Sequence, residues 1–470
     1  MRYGTIIIGA GMSGMAAAIR LARFGESVLL LERHYVVGGL NSFYFRNGRK
    51  YDVGLHAMTN FVPAGTKNAP LTRLLRQLRI RYEELDLCEQ NGSEIHCFGN
   101  KICFTNDFSL FESEIARCFP SQMDGFRRLN AFLDSFDEAS LEADESSARA
   151  VVGSYITDPL LLDTLFLPLS YYGSSTEDDM SFPQFAIMYR SIFKEGFARP
   201  HIGVRQIISI LREKLREAGA TIRMKCGVKR ILTTGTRVCG VELDNGEIIE
   251  ADRILSSAGA VETERLIDGV PADAGADNIG KLAFCETIAQ SRLVPAKDMS
   301  WTQTIIFFND AERFHYRTPA GLIDPRSGVI CIPNNYRWRD ESLAPQEGCL
   351  RVSCLANNDA WAALGHATPA YLDAKAQAFQ RLQETALMHL APFSHERFAA
   401  SLVDTDMFTP LTLTRFAGKL GGATYGATRK NRAGTTRFEN LFICGTDQGF
   451  LGITGALLSG ISIANARCLI

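Results

Sequence analysis

A glycine turn at positions 9 to 14 constrains this chain more than any other feature. Thr5 to Ile8 form a short apolar run rich in β-branched residues, and Gly9-Ala10-Gly11-Met12-Ser13-Gly14 follows it directly. An Ala-rich stretch from Met15 to Phe24 comes next, then a second apolar run, Val28 to Leu31, and then Glu32. The order predicts strand, glycine turn, helix, strand, acid. A strand-to-helix turn without side chains lets a pyrophosphate sit against backbone N–H groups at a helix N-terminus. Glu32 falls where a carboxylate accepts hydrogen bonds from an adenosine ribose. The motif alone says little, but its strand, helix and acid together predict a dinucleotide site.

A chain of 470 residues is long enough for two or three cores. Its net charge of -2 leaves no electrostatic footprint for nucleic acid. The 12 Cys form no CxxC pair and no Cys/His ligand spacing, so free thiols in a reducing compartment and no metal site are expected. The first strand begins almost at Met1, which predicts no leader peptide. The longest apolar stretches, Tyr155 to Gly173 and Phe450 to Ile470, are interrupted by Asp158 and Asp163 and by Asn465 and Arg467. A cytoplasmic protein, at most touching a bilayer surface, is expected.

Further along, Gly38-Gly39-Leu40-Asn41 offers a second loop that approaches the same pyrophosphate. Phe43 to Phe45 and Lys50 to Val53 read as short strands around Asn47-Gly48. From about Phe61 to Pro200 the pattern reads as helices with loops. Leu71, Leu74, Leu75 and Leu78 make one helical stripe, with Arg73, Arg76, Arg79 and Arg81 interleaved. Thr221 to Ile254 is a strand meander with turns at Gly235 and Asn245-Gly246. The strand Leu441 to Cys444 leads through Gly445-Thr446-Asp447 to a small-residue helix from Thr454.

The double glycine, the meander and the terminal Gly-Thr-Asp favour FAD over a nicotinamide cofactor. On these residues, with Tyr51-Asp-Val-Gly-Leu-His56, Thr409-Pro-Leu-Thr412 and Gly421-Gly-Ala-Thr-Tyr-Gly426, the chain resembles a particular group. It is the phytoene desaturase, carotene isomerase and retinol saturase group of the flavin amine oxidase superfamily. The resemblance implies an α/β fold. A Rossmann-like FAD-binding domain of the glutathione reductase type (1–62, 200–283 and 405–470) would interleave with a mixed α+β substrate domain (63–199 and 284–404). It implies Gly9, Gly11, Met12, Ser13, Gly14, Gly38 and Gly39, with Leu40 and Asn41, around the pyrophosphate. Glu32 would hold the ribose, Arg33 would lie beside the adenine, and Val228 would meet the adenine edge. Gly445 and Asp447 would hold the ribityl or pyrophosphate region, and Ile453 and Thr454 the pyrimidine side of the flavin ring. A helix N-terminus there would stabilise negative charge on a reduced flavin.

The chemistry expected is hydride transfer that desaturates, saturates or isomerises carbon–carbon bonds of a long apolar isoprenoid or polyene. His56 is the candidate for ordering the flavin or handling a proton, and Tyr425 for facing the ring from the other side. The helix at 160 to 169 would wall the substrate tunnel, and Tyr171 and Tyr172 either line it or sit as plain aromatic core residues. The electron acceptor would be oxygen or a quinone, or an external reductant would drive saturation. The face of Arg73, Arg76 and Arg79 is a candidate docking face for lipid phosphates or an acidic carrier protein. Three rivals remain open. They are a flavin amine or amino-acid oxidase, a tailoring oxidase on a carrier-bound polyketide or peptide, and a non-redox protein that presents a lipid or pigment.

Overall fold

The computed structural model describes residues 2–137, 140 and 145–469. Two seven-stranded sheets organise them. The first strand, Arg2–Ile8, pairs in parallel with Val28–Glu32 on one side and Ile248–Ser256 on the other. Thr221–Met224 extends the sheet beyond Val28–Glu32, and Leu441–Ile443 lies parallel to the end of Ile248–Ser256. The antiparallel strands Val228–Thr234 and Arg237–Leu243 complete it. Parallel strands buried on both faces need continuous apolar runs. Thr5–Ile8 and Val28–Glu32 meet that need, for every residue of both is buried.

The helix Met12–Arg23 leaves the first strand through the glycine turn. Three of its four alanines, Ala16, Ala17 and Ala18, are fully buried. The terminal helix Gly452–Ile463 packs against it so closely that a methyl group on Gly460 would stand 2.0 Å from Ser13 O. Small residues at this crossing draw the two ends of the chain together.

The second sheet runs Leu402–Phe408, Ala283–Ser291, Gly348–Ala356, Ile323–Cys331, Ile305–Asn309, Ser93–Cys97 and Asn100–Phe104 in spatial order. All its pairs are antiparallel except Ile305–Asn309 with Ser93–Cys97. The helix Pro369–His389 covers one face, where Leu382 and Ala386 join Ile330 and Val352 in an apolar core. An aromatic core fills the space toward the helices Phe108–Cys118, Met123–Ser135, Pro159–Gly173 and Phe182–Tyr189. Strands between Leu87 and Phe104 replace the helix-and-loop character expected there. They are short, three to five residues, and close by pairing with strands far along the chain.

Architecture and helices together make this an α/β fold with interleaved helices and sheets. Among the described residues no helix is long and apolar enough to cross a membrane, and no group of His, Cys, Asp or Glu is arranged to hold a metal ion. Gly460→Ala is expected to destabilise the fold by about 1–3 kcal/mol through overpacking. Gly153→Ala places its carbon in open space, so it should match the parent within about 1 kcal/mol or exceed it. Urea unfolding of both variants measures the contrast.

Candidate active site

Gly9 carries φ +93°, a conformation that favours glycine. Its N–H donates to Leu31 O at 2.8 Å, and Ala10 N–H donates to Glu32 Oε2 at 2.8 Å. His34 N–H donates to Glu32 Oε1, also at 2.8 Å. Glu32 thus ties the glycine turn to the loop after the second strand. Gly38 N–H donates to Ala10 O at 2.8 Å, bringing the second glycine loop alongside. A methyl group on Gly39 would stand 3.4 Å from Gly11 Cα. The helix begun at Met12 has no side-chain cap and no acid in its first turn. Uncapped N–H groups with a bare glycine approach suit an anionic group.

These loops open into one cavity of about 1410 Å³ that reaches both sheets. Gly9, Gly11, Met12, Ser13, Gly38 and Gly39 line it, with Leu40 and Asn41. Glu32, Arg33 and Val228 line one end. Arg33 donates from Nη2 to Arg415 O at 3.2 Å. Gly445 and Ile453 line it from the C-terminal segment.

Gly14, Asp447 and Thr454 stand behind this wall instead. A methyl group on Gly14 would fall 2.0 Å from Gly9 O, so the residue serves the tightness of the turn. Asp447 is 1% exposed and accepts from Ala260 N–H at 2.5 Å and Ala427 N–H at 2.7 Å. Burial alone would raise its pKa. Lys419, Lys430 and those two N–H groups outweigh burial and lower it. Thr454 donates to Thr59 O at 3.4 Å.

The second sheet supplies the opposite wall as one row across four strands. Val329, Ser353, Glu286 and Phe408 pair in register and all line the cavity. Phe284 lies two residues before Glu286 and lines it too. Tyr425 stacks edge-on against Phe284 at 5.8 Å and donates its hydroxyl to Tyr171 O at 2.5 Å. Of the helix Pro159–Gly173 only Tyr171 and Tyr172, at its end, reach the cavity. Leu161, Leu165 and Phe166 are fully buried in the aromatic core, so the helix body does not wall a tunnel.

His56 lines the cavity beside this row. Its Nε2 lies 3.4 Å from Glu286 Oε1 and 3.3 Å from Ser353 Oγ. Glu286 also pairs with Arg351, which is 3% exposed and donates from Nη1 to Leu55 O at 3.1 Å. Burial would raise the Glu286 carboxyl; the adjacent Arg351 guanidinium and His56 outweigh it and hold the pKa down to about 2. Other charges on the cavity wall are paired as well. Asp406 meets Arg46 at 3.0 Å and Lys375 at 3.6 Å, and Glu262 meets Lys419 at 3.8 Å. Glu286, Arg351 and Ser353 escape a reading from motifs. The one signal is a lone arginine inside the apolar strand Gly348–Ala356, which needs a buried partner.

Arg73, Arg76 and Arg79 are exposed over the buried Leu71, Leu74, Leu75 and Leu78, and none of the three lines the cavity. Arg79 itself ends the helix in the left-handed region, at φ +55°. All 12 cysteines are free.

A depressed carboxyl contributes stability that is complete above its unfolded value of about 4.3. That contribution is lost as pH falls from there toward about 2. Arg351→Leu leaves Glu286 buried without its cation and is expected to cost about 3–5 kcal/mol at pH 7. The deficit should shrink on acidification, because a protonated Glu286 needs no cation. Denaturant unfolding across this pH range checks both.

The family described as flavin containing amine oxidoreductase matches residues 12–268, more than half of the chain. The chain is 27% identical to a chloroplastic prolycopene isomerase from Daucus carota, over 56% of this chain and 47% of that protein. It thus spans about half the length of that curated relative. A prolycopene isomerase from Arabidopsis thaliana is 25% identical over 98% of this chain and 82% of its own length. The solved cyclohexylamine oxidase from Brevibacterium oxydans has the same fold, at TM-score 0.61 and 14% identity, covering 99% of this chain and 98% of its own. Together with the cavity and the glycine turn at its edge, the family match establishes that this chain belongs to the flavin containing amine oxidoreductases.

Proposed function

We propose that this chain is an FAD-dependent oxidoreductase that moves a hydride between flavin and a carbon of a substrate with an apolar body. The single observation that carries the reading is the continuous cavity. It joins an uncapped helix N-terminus beside two glycine loops to an aromatic chamber on the second sheet.

The residues present fit the cofactor. Gly9, Gly11, Met12, Ser13 and Gly39 would hold the pyrophosphate, with Gly38, Leu40 and Asn41 shaping the second loop. Glu32 retains lone pairs for a ribose beyond its two backbone contacts. Arg33 and Val228 would flank the adenine, and Gly445 and Ile453 would approach the flavin end. Gly14, Asp447 and Thr454 would act from behind, by holding these loops in place. Bound there, FAD supplies a two-electron hydride acceptor or donor. Segments 1–62, 200–282 and 409–470 would then form the cofactor unit, and the rest the substrate unit; the expected bounds at 283 and 405 would cut the strands Ala283–Ser291 and Leu402–Phe408 of the second sheet.

Two substrate classes share this description. Carbon oxidation beside an amine is favoured by the family's own character and by one arrangement in the chamber. A carboxylate, Glu286, stands in the wall with Phe284, Tyr425, Tyr171 and Tyr172 around it. Carbon–carbon desaturation, saturation or isomerisation of a polyene is favoured by the sequence relatives that act on carotenoids. It is also favoured by the internal pairing of Glu286, Asp406 and Glu262. Anaerobic mixing of the purified protein with polyenes and with apolar amines, followed by flavin absorbance, distinguishes them. Bleaching by an amine supports the first; bleaching by a polyene, or return of colour when a polyene meets pre-reduced flavin, supports the second as desaturation or saturation. No bleaching by either would sink hydride transfer from both.

The cofactor placement has its own test. A methyl group on Gly11 would meet nothing within 4 Å, and the residue has φ -72°. Gly11→Val is therefore expected to fold with the parent's melting temperature yet hold FAD at least about tenfold more weakly, a loss of roughly 1.4 kcal/mol. Reconstitution of the stripped protein, read by flavin fluorescence, measures it.

A further inference from the structure

Six contacts converge on Leu55 and His56. Arg351 Nη1 and Arg199 Nη1 donate to Leu55 O at 3.1 and 3.2 Å. The Tyr336 hydroxyl and the Cys331 thiol donate to His56 O at 3.0 and 3.6 Å. Glu286 Oε1 and Ser353 Oγ meet His56 Nε2 at 3.4 and 3.3 Å. The backbone is held at two successive carbonyls and the ring at Nε2, yet no hydrogen bond to its Nδ1 occurs among the described residues, and His56 lines the cavity. The Tyr172 ring stands 6.4 Å away, and its hydroxyl is buried with no hydrogen-bond partner.

An ionised carboxylate only accepts hydrogen bonds. A ring hydrogen on Nε2 would face Glu286 and the Ser353 hydroxyl, and in the neutral ring it would leave the lone pair on Nδ1. Arg351 keeps Glu286 ionised and also holds the carbonyl that precedes His56. One guanidinium so restrains both the backbone and the ring partner of a single residue.

We infer that His56 is the proton-handling group of the cavity, with Nδ1 as the working atom, and that Glu286 and Arg351 are positioning residues acting through it. The chemistry rests on the redox reading above; the tautomer does not. Oxidation of a neutral substrate to a neutral product removes one hydride and one proton. With FAD bound, the hydride would carry both electrons of the broken C–H bond to it. The proton passes to the Nδ1 lone pair, and the imidazolium formed lies against Glu286. In the reverse direction Nδ1 gives the proton back as the hydride arrives.

The test uses the full chain with ¹⁵N-labelled histidine, and His56→Gln identifies the ring's signals. Long-range ¹⁵N–¹H spectra should show neutral His56 protonated at Nε2. In Glu286→Gln the share of neutral ring protonated at Nδ1 should rise, since the carboxylate acceptor facing Nε2 is gone. A neutral parent ring protonated at Nδ1, or the same tautomer share in parent and variant, would overturn the inference. If Glu286→Gln fails to fold, the tautomer of the parent decides alone. Because neither readout needs substrate or flavin, a colourless protein with the expected tautomer would defeat the redox reading and the proton transfer with it, and leave only the Nε2 tautomer and its positioning by Glu286 standing.

Discussion

The first and last helices touch backbone to backbone, and the rest of the site depends on that contact. Gly460 lets the terminal helix lie against Ser13 O, where one added carbon would collide. Ser13 belongs to the turn that lines the cavity, and Ile453 opens the cavity-facing end of the terminal helix. The same close approach therefore sets the spacing between the glycine turn and the C-terminal wall. Ala16, Ala17 and Ala18 extend the principle along the first helix, because small side chains leave room for dense packing around it.

On the far side of the cavity, charge does what small residues do on the near side. Burying Glu286 and Arg351 is costly unless each compensates the other. Their pairing therefore locks neighbouring strands of the second sheet to the loop that carries His56. Two other wall carboxylates follow the same rule: Asp406 and Glu262 each meet a cation of the protein. A substrate entering this space meets aromatic rings and charges already paired. Its body is then bound largely through apolar contact and shape.

The beginning of the chain was legible because its information is local. Thr5 to Ile8, the glycine turn, the alanine helix and Val28 to Glu32 appear as Arg2–Ile8, Met12–Arg23 and Val28–Glu32. The meander was equally readable, since Gly235 and Asn245-Gly246 mark its turns within a few residues of the strands they join. The second sheet was not. Its neighbours Ile305–Asn309 and Ser93–Cys97 lie far apart in the chain, and each is only five residues long. Glu286 and Arg351 likewise read as isolated charges until register sets their strands side by side.

By itself the sequence determined the strand, turn and helix that begin the fold, the presence of a second glycine loop, and His56 as a candidate. Those features follow from backbone freedom at glycine and from apolar periodicity, both of which act over a few residues. Only the tertiary structure decided that Asp447 and Thr454 stand behind the wall, that Tyr171 and Tyr172 alone bring their helix to the cavity, and that Glu286 faces His56. Cross-strand register and the pairing of buried charges make those choices. They depend on which distant segments become neighbours, and no local pattern encodes that.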